Sequence, residues 1–435
     1  MSHKNMRSVA VRPSKVCLRG ARYVTGPNES VQGSLVFEGD RITGLWPDHA
    51  DPRESPIETV DVDLNGYLLI PGLINAHDHL QYALHPKLGH PPYRNYVEWG
   101  DDIHAACFGA VAKYKSIPRD VRLWWGGIRN LLSGVTTVCH HDSLWPELRK
   151  QDFPVKVVQE YGWAHSLALG GNLHAAYAAR AKGSAFFVHA CEGVDDLAKG
   201  ELLALDRLGL LKADTVLIHG LAIEDEGAAL LRERRTSVIV CPSSNHFLFA
   251  ALPDMNRFDG IAQMSLGNDS PLTAKGDLLD EIRFAMNFCH VSADRVYRMV
   301  TEFPAKLLRL KNKEGTIQVA GAADLIAVRD DGRSAVHRLR SLSVEDLEFV
   351  MVRGQMRLTS ERIWKLLPTE IRVGLEPLWI DGTIRWLRAP VQKLLGEAEA
   401  VVGTGEVRLG GRSIRSVDSL IATGMRQPGH RAGHR

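Results

Sequence analysis

The chain has 435 residues, of which 45% are hydrophobic and 24% are charged, a composition typical of a soluble globular protein. This length predicts a large domain with a companion rather than one small domain. The 53 Lys and Arg residues balance 51 Asp and Glu residues, and the formal charge of +2 argues against nucleic acid as a main partner.

No apolar run reaches the roughly 18 residues that a membrane helix requires, so we expect no membrane span. The 6 cysteines are scattered without a CxxC pair, which favours reduced thiols. Residues 1–7 have no apolar core behind their charges, so we expect no signal peptide. Together these features predict a cytoplasmic protein with a flexible N-terminus over residues 1–14.

Residues 15–70 have the alternation and turns of short strands and form the first part of a predicted β domain. The segments 15–19, 34–38 and 41–45 are strand-like. Gly39-Asp40 is the predicted hairpin turn between the last two segments.

From residue 71 to about 313, short apolar runs alternate with helical spacing. Such alternation predicts a parallel sheet covered on both faces. The number of units favours an α/β fold of the closed (β/α)8 TIM-barrel type. An open doubly wound sheet is the alternative, although no GxGxxG follows its first strand. The predicted strands are residues 69–75, 135–139, 155–158, 185–188, 215–218, 237–240 and 264–266, and helical spacing marks 119–133 and 224–234.

Strand patterns return at residue 314 and continue to about 365. Residues 314–328 alternate and are interrupted by glycines, and residues 347–354 form a strand and turn. We expect a small β-sandwich domain built from both chain ends, with the barrel inserted between them. Residues 366–435 are predicted to be a C-terminal extension with helical spacing over 384–395 and a disordered tail from about residue 424.

His77-Asp78-His79 follows the first apolar run of the predicted barrel, at the strand end where barrels build their active sites. Residues i and i+2 of a strand share one face, so two imidazoles placed there can bind one metal ion. Two surface or capping histidines are the alternative interpretation of this motif alone.

Further polar residues, all suited to metal or proton chemistry, follow three later predicted strands. In a parallel barrel these strand ends converge on one rim, so residues far apart in sequence become neighbours. The residues are His189, Glu192, His219 and Asp269. Asp269 precedes Ser-Pro, and a simple turn is its alternative role.

These residues and their surroundings resemble the amidohydrolase superfamily, in the branch of cytosine, guanine and adenosine deaminases and triazine chlorohydrolases. The similarity runs in order over about residues 15 to 355. Two positions depart from the common pattern, because Asn268 stands where the family often has Thr and Cys191 where it often has Ala. The motifs are Pro-Gly-Leu-Ile-Asn-Ala-His-Asp-His-Leu at 71–80, Ser-Gly-Val-Thr-Thr-Val at 133–138, His-Ala-Cys-Glu at 189–192, Leu-Ile-His-Gly at 217–220, Cys-Pro-Ser-Ser-Asn at 241–245, Leu-Gly-Asn-Asp-Ser-Pro at 266–271 and Gly-Ala-Ala-Asp-Leu-Ile-Ala-Val at 321–328.

The resemblance implies a role for each of these residues. The implied ligands of a divalent ion, Zn²⁺ or Fe²⁺, are His77, His79, His189 and Asp269. Glu192 corresponds to the proton shuttle, and His219 to the histidine that polarises the substrate or orients water. The chemistry agrees, since a carboxylate such as Asp269 can accept a proton from water and Glu192 can deliver one to the substrate. His219 can stabilise the charge that develops on the substrate.

The resemblance also bears on the number of metal ions. Binuclear relatives carry a carboxylated lysine at the end of the fourth strand. The candidate fourth strand is residues 155–160, in which Lys156 lies inside the strand and is expected to face a helix or solvent. We therefore expect one metal ion.

Substrate contacts are predicted in the loop after the first ligand strand, because barrel enzymes place specificity in such loops. Gln81 and Trp99 can face a flat polar heterocycle, and packing of the loop is the alternative. His141 follows the strand at 135–139 and also reaches the rim, where it can contact the substrate or order the site.

The sequence thus predicts a metal-dependent hydrolase that deaminates a nitrogen heterocycle, such as a purine, pyrimidine or triazine. One alternative is hydrolysis of a linear or cyclic amide, or of a carbon–halogen bond, at the same site. The other is an inactive barrel that serves as a binding module. The expected partner is a small-molecule substrate, with no nucleic acid or membrane, and a homodimer is left open.

Overall fold

The computed structural model describes residues 15–48 and 59–418. The predictions for residues 1–14 and for the tail from about residue 424 therefore lie outside the described residues. The described chain is α/β, as predicted, and it begins with five strands that belong to one large sheet. They are β1 (Lys15–Gly26), β2 (Glu29–Glu38), β3 (Arg41–Pro47), β4 (Thr59–Asp63) and β5 (Tyr67–Pro71).

The predicted hairpin between β2 and β3 is confirmed. The two strands pair antiparallel, and Glu38 lies opposite Arg41 across the turn. Gly39 has φ +57°, a backbone conformation that glycine adopts without a Cβ penalty. The turn therefore uses the residue type that its geometry favours.

Eight parallel strands follow and carry the residues of the candidate site. The first three form one sheet and the next five form another. Most are buried along their whole length, which explains their continuous apolar runs. They are β6 (Leu73–Asp78), β7 (Val135–His140), β8 (Lys156–Val157), β9 (Tyr161–Ser166), β10 (Ala185–Ala190), β11 (Thr215–His219), β12 (Ser237–Val240) and β13 (Met264–Leu266).

The prediction for the fourth strand was wrong. The segment proposed for it forms only β8, which is the third parallel strand, and the fourth is β9. Lys156 does not face a helix or solvent, because its Nζ lies 2.9 Å from Glu314 Oε1 and also contacts Asp324. The residues near the carboxyl end of the true fourth strand are His165 and Ser166, and neither is a lysine.

The chain returns to the large sheet after the parallel strands. β14 pairs antiparallel with β5, so both chain ends share one sheet. The region predicted as a helical extension instead adds strands to this sheet and then one helix, so the prediction for residues 384–395 was only half right. The strands are β14 (Leu325–Arg329), β15 (Leu347–Val352), β16 (Gln355–Ser360), β17 (Glu376–Ile380), β18 (Thr383–Leu387), β19 (Arg408–Leu409) and β20 (Arg412–Arg415).

Helices connect the strands and cover them. The helix that leads into β7 has a buried apolar face, and its Trp125 is fully buried and donates to the Leu394 carbonyl in the last helix at 3.3 Å. In the described part of the chain, no helix is both long and apolar enough to span a bilayer. The helices are α1 (Tyr96–Ala105), α2 (Phe108–Lys115), α3 (Arg119–Leu132), α4 (Leu173–Ala179), α5 (Asp196–Arg207), α6 (Asp225–Arg234), α7 (Pro242–Phe249), α8 (Leu278–Phe288), α9 (Ala293–Met299), α10 (Glu302–Leu307), α11 (Ala335–Ser341), α12 (Glu361–Leu366), α13 (Thr369–Arg372) and α14 (Val391–Val402).

Candidate metal centre

The four predicted ligands lie together at the carboxyl ends of the parallel strands. His77 is in β6 with His79 just beyond its end, His189 is near the end of β10, and Asp269 follows β13. His77, His189 and Asp269 are buried, and His79 is half-buried. Side chains that are separated by up to 192 positions in the sequence therefore form one cluster, as the strand-end pattern predicts.

The distances in this cluster fit one small metal ion. His77 Nε2 lies 3.3 Å from His189 Nε2, and Asp269 Oδ1 lies 3.7 Å from His77 Nε2 and 3.8 Å from His79 Nε2. Four ligands at zinc's bond lengths, in a tetrahedral arrangement, lie about 3.3–3.4 Å from one another. The donor set of imidazole nitrogens and one carboxylate suits zinc or iron(II).

Hydrogen bonds to neighbouring groups orient these ligands. His189 Nδ1–H donates to the His165 carbonyl at 2.8 Å, which leaves the Nε2 lone pair facing the cluster. Asp269 Oδ2 accepts from Ser244 Oγ at 2.8 Å and from Thr273 Oγ1 at 3.1 Å. These contacts leave Asp269 Oδ1 directed toward the histidines.

Burial sets the protonation of the cluster. It lowers the pKa of His79 and His189 well below the usual value, and the neighbouring histidines lower both further. Burial pushes the pKa of Asp269 upward, but the hydrogen bond and charge of His77 hold it well below its ordinary value. The neutral forms of His79 and His189 and the ionised form of Asp269 are the forms that bind a metal ion.

His219, at the end of β11, faces both the cluster and Glu192. Its Nδ1–H donates to Asn245 Oδ1 at 2.9 Å, so the Nε2 side is directed inward. Nε2 lies 3.5 Å from Glu192 Oε1, and His219 also forms a group with His77 and His189 that could hold a metal ion. Its backbone has φ +74°, a strained conformation for a residue with a side chain, as is common at functional sites.

Glu192 is a buried carboxyl group, 6% exposed. Burial raises its pKa well above the ordinary value, and the negative charges of Asp269 and Glu201 raise it further. Burial and these charges favour the protonated form of the carboxyl group, which can donate a proton.

The backbone beside Glu192 is braced from two directions. Glu201 in α5 accepts from the Cys191 N–H at 2.7 Å and from the Tyr96 hydroxyl at 2.7 Å. The Tyr96 N–H donates to the Glu192 carbonyl at 3.2 Å. Cys191 is fully buried with φ +56°, so it has a packing position and a constrained backbone.

The predicted substrate residues have different surroundings. His141 stacks on His189 with ring centroids 4.3 Å apart, and its Nε2–H donates to the Ala164 carbonyl at 3.0 Å. Gln81 is buried near the rim and donates to Asp142 Oδ2 at 2.9 Å. The Trp99 indole N–H donates to the Leu88 carbonyl at 3.2 Å within the packed loop, so its polar atom is already used there. Their roles toward a substrate stay predictions.

Several residues near the cluster did not follow from the sequence patterns. His165 lies with its ring centroid 5.0 Å from that of His189, but its strand was not recognised. Ser244 and Asn245 lie in the Cys-Pro-Ser-Ser-Asn motif, which was the one signal that pointed to them. Thr273 and Glu201 contact site residues from loop and helix positions that no motif marks.

Comparison with known proteins agrees with this geometry. The sequence model of the Amidohydrolase family matches residues 159–357 of this chain. The chain is 25% identical over 438 aligned positions to a 5-methylthioadenosine/S-adenosylhomocysteine deaminase of Caldanaerobacter subterraneus subsp. tengcongensis, covering 83% of this chain and 93% of that protein. A protein with the same name from Thermococcus sibiricus is 22% identical over 395 positions and covers 75% of this chain.

Solved structures show the same fold at low sequence identity. An adenosine deaminase from Xanthomonas campestris with bound zinc superposes with a TM-score of 0.64 at 17% identity, over 88% of this chain and 97% of that one. Atrazine chlorohydrolase from Arthrobacter aurescens, complexed with zinc, has a TM-score of 0.63 at 16% identity, over 89% of this chain and 99% of that one.

Proposed function

We propose that the chain is a metal-dependent hydrolase of the amidohydrolase superfamily and that it deaminates a nitrogen heterocycle. The observation that carries the proposal is the position of Glu192, a buried carboxylic acid 3.5 Å from His219, beside the cluster of histidines and Asp269. The relatives named as deaminases support a purine-type ring as the substrate.

The metal would be held by His77, His79, His189 and Asp269, with Zn²⁺ as the first choice and Fe²⁺ as the second. When bound, a divalent ion supplies Lewis acidity that makes a water molecule a stronger acid at neutral pH. One ion is proposed, because the fourth parallel strand carries no lysine near its carboxyl end that could bridge two ions.

In hydrolytic deamination, the oxygen of water bonds to the ring carbon, and the bond between that carbon and the amino nitrogen breaks. Asp269 is placed to accept a proton from the water, since its carboxylate lies beside the histidines that would hold the metal ion. Glu192 is placed to deliver a proton to the ring nitrogen, because burial and the neighbouring carboxylates raise its pKa and favour its protonated form. His219 stabilises the charge that develops. The proton held by Asp269 then passes to the amino nitrogen, which leaves as ammonia, and the hydroxyl oxygen becomes the carbonyl as its proton returns to Glu192.

We also propose the finer features of the fold. The two parallel sheets would close into one (β/α)8 barrel spanning residues 71–313. Support comes from the Asp269 N–H, which donates to the His77 carbonyl at 3.0 Å, and from the bond between His141 and Ala164 on the other side. Residues 15–70 and 314–365 would form the β-sandwich domain, around a core that both chain ends supply, and 366–418 would extend its sheet.

The proposed location is the cytoplasm, which is supported by the free thiols of Cys107, Cys139, Cys191, Cys241 and Cys289. The proposed partner is a small heterocyclic substrate rather than nucleic acid or membrane. A homodimer stays a proposal to be tested by the molecular mass in solution.

The test is a panel of amino-substituted purines, pyrimidines and triazines, scored for ammonia release by the purified, metal-loaded enzyme. Amides, cyclic amides and halogenated triazines form the second arm, scored for acid or halide release. Ammonia from a heterocycle supports the proposal, whereas turnover only in the second arm contradicts it. No turnover in either arm, with less than a small fraction of one metal equivalent bound, would leave only the inactive binding module.

Glu192→Gln is the matched variant for the proton-delivery role. The amide keeps the size of the side chain but cannot donate the acid proton, so we expect kcat to fall about 100-fold to 10,000-fold with the metal retained. Full activity in this variant would exclude Glu192 as the proton donor. His189→Ala should instead lose the metal.

A further inference from the structure

Asp78, the residue between the first two proposed ligands, is part of a buried ion pair. Its carboxylate faces α3, where Arg129 Nη2 lies 3.3 Å from Asp78 Oδ2. Both side chains are only 2% exposed. A buried ion pair contributes little net stability, because removing both charges from water offsets their attraction. The other contacts of Arg129 indicate a role of this pair beyond stabilising the fold.

The same guanidinium nitrogen reaches the other side of the metal cluster. Arg129 Nη2 donates to the Asn268 side-chain oxygen and, at 2.9 Å, to the backbone carbonyl of Asp269. Asp78 lies between two proposed ligands at the first parallel strand, and Asp269 is the proposed ligand at the last one. Arg129 is thus a bridge between the two chain segments that supply three of the four proposed ligands.

Two asparagines extend this bridge on the first-strand side. Asp78 Oδ2 also accepts from Asn130 Nδ2 at 2.7 Å and from Asn75 Nδ2 at 3.2 Å. Asn75 Oδ1 in turn accepts from the Asn268 N–H at 3.1 Å. The hydrogen bonds therefore form a closed ring that includes Asn75, Asp78, Arg129 and Asn268.

We propose that Arg129 is a positioning residue of the metal centre. It fixes the Asp269 backbone, which has the strained φ of +57°, relative to the His77-Asp78-His79 segment. The distance from Asp269 Oδ1 to the two histidines is then set by this ring of hydrogen bonds rather than by the metal ion. The inference rests on the proposed function, since it concerns the affinity for the ion that the function requires.

The three acceptors of Arg129 all face one nitrogen, Nη2, and they lie on two separate chain segments. The planar guanidinium holds this nitrogen in a fixed direction, whereas a lysine ammonium is a compact charge on a flexible stem. Removing the bonds that orient a metal ligand typically weakens metal binding 10-fold to 100-fold.

The experiment compares Zn²⁺ affinity of the full-length apoprotein with that of its variants, by competition with a chromophoric chelator, together with the melting temperature of each apoprotein. Arg129→Met and the double variant D78N/R129M should both bind Zn²⁺ at least 10-fold more weakly. The double variant leaves no unpaired charge, so it separates positioning from the instability of an isolated buried carboxylate. Arg129→Lys should retain an intermediate affinity.

Lys156→Met is the matched control. It breaks a partly buried ion pair with Glu314 and Asp324, and neither partner is among the proposed ligands. We expect it to lower the melting temperature and leave the Zn²⁺ affinity of the folded protein within about 2-fold of wild type.

A variant at Arg129 that melts at a lower temperature but binds Zn²⁺ as wild type does would overturn the inference, because the pair would then be purely structural. If the Arg129 variants do not fold, Asn268→Ala is the decisive variant. It removes one acceptor of the Arg129 guanidinium and leaves the ion pair between Arg129 and Asp78 intact. We expect it to weaken Zn²⁺ binding several-fold, and unchanged affinity would refute the inference. A wild-type protein that takes up no Zn²⁺ or Fe²⁺ would refute the proposed function itself.

Discussion

The Tyr96 hydroxyl should matter for turnover far more than for stability. It donates to Glu201 Oε1 at 2.7 Å, and the other oxygen of Glu201 holds the Cys191 N–H at 2.7 Å. Tyr96 and Glu201 are 2% and 4% exposed, so water cannot readily replace the lost donor in Tyr96→Phe. This substitution is therefore expected to make the backbone beside Glu192, the proposed proton donor, less rigid.

The loss of stability can be estimated from the burial. Tyr96→Phe leaves a buried oxygen of Glu201 without its donor, and the loss of a buried hydrogen bond of this kind costs about 1–2 kcal/mol. In a chain of this length, that energy corresponds to a decrease in melting temperature of only about 1–2 °C. Displacement of a proton donor by a fraction of an ångström reduces kcat more strongly, and we expect about a 10-fold decrease.

The assay measures kcat, KM and metal content of Tyr96→Phe beside Tyr93→Phe. Tyr93 lies just before α1, which begins at Tyr96, and its hydroxyl also contacts a carboxylate, that of Asp102. Among the hydrogen bonds of the described residues, the Tyr93 side chain makes none to the Glu192 segment. We expect kcat to fall only in Tyr96→Phe, with KM and metal content unchanged in both variants. Equal kcat values in the two variants would refute the view that Tyr96 and Glu201 hold the proton donor in place.

Two further predictions concern other buried polar groups. Burial raises the pKa of Glu281 from 4.5 to about 8 despite the hydrogen bond from the Ser243 N–H. The folded state therefore binds this proton more tightly than the unfolded state, and the stability contributed by the group falls as pH rises from about 4.5 to about 8. The free energy of unfolding of Glu281→Gln, measured by denaturation at several pH values, should rise relative to that of wild type as pH rises. A difference that stays constant with pH would contradict the raised pKa of Glu281. Asn245→Ala should lower kcat about 10-fold to 100-fold with the metal retained, because His219 loses the bond that orients its ring. Kinetics and metal analysis of the variant check this prediction. An unchanged kcat would exclude an orienting role for Asn245.

The sequence was most informative where a pattern is local. The strand ends that carry His77, His189 and Asp269 follow continuous apolar runs, and such runs arise because the strands are buried on both faces. The positions of these side chains could therefore be predicted before any distance was known. The hairpin at Gly39-Asp40 followed from local turn chemistry in the same way.

The strands that were missed have mixed patterns. β9 alternates between half-buried and buried residues and contains Gly162, Trp163 and His165, so it does not read as an apolar run. In β18, hydrophobic residues at Ile384, Trp386 and Leu387 have spacing that also fits a helix, and the pairing with β16 and β17 decided the outcome. Tertiary hydrogen bonding overrides a short ambiguous pattern.

Contacts between distant residues left no signal in the sequence. Tyr96 and Glu201 are 105 positions apart, and Arg129 and Asn268 are 139 positions apart. Nothing in the spacing of either pair predicts the contact, because each depends on how the loops and helices pack around the strand ends. Asn268 lies in a recognisable motif, whereas Arg129, Tyr96 and Glu201 do not, so these three could not be identified from the sequence.

The metal side and the proton side of the candidate site are supported separately. Arg129 and its partners link the His77-Asp78-His79 segment to Asp269, whereas Tyr96 and Glu201 hold the backbone beside Glu192. Among the hydrogen bonds of the described residues, the two sets share no side chain. A cluster that binds a metal ion and an acid that delivers a proton require different positional tolerances, and two independent supports allow each to be set without disturbing the other.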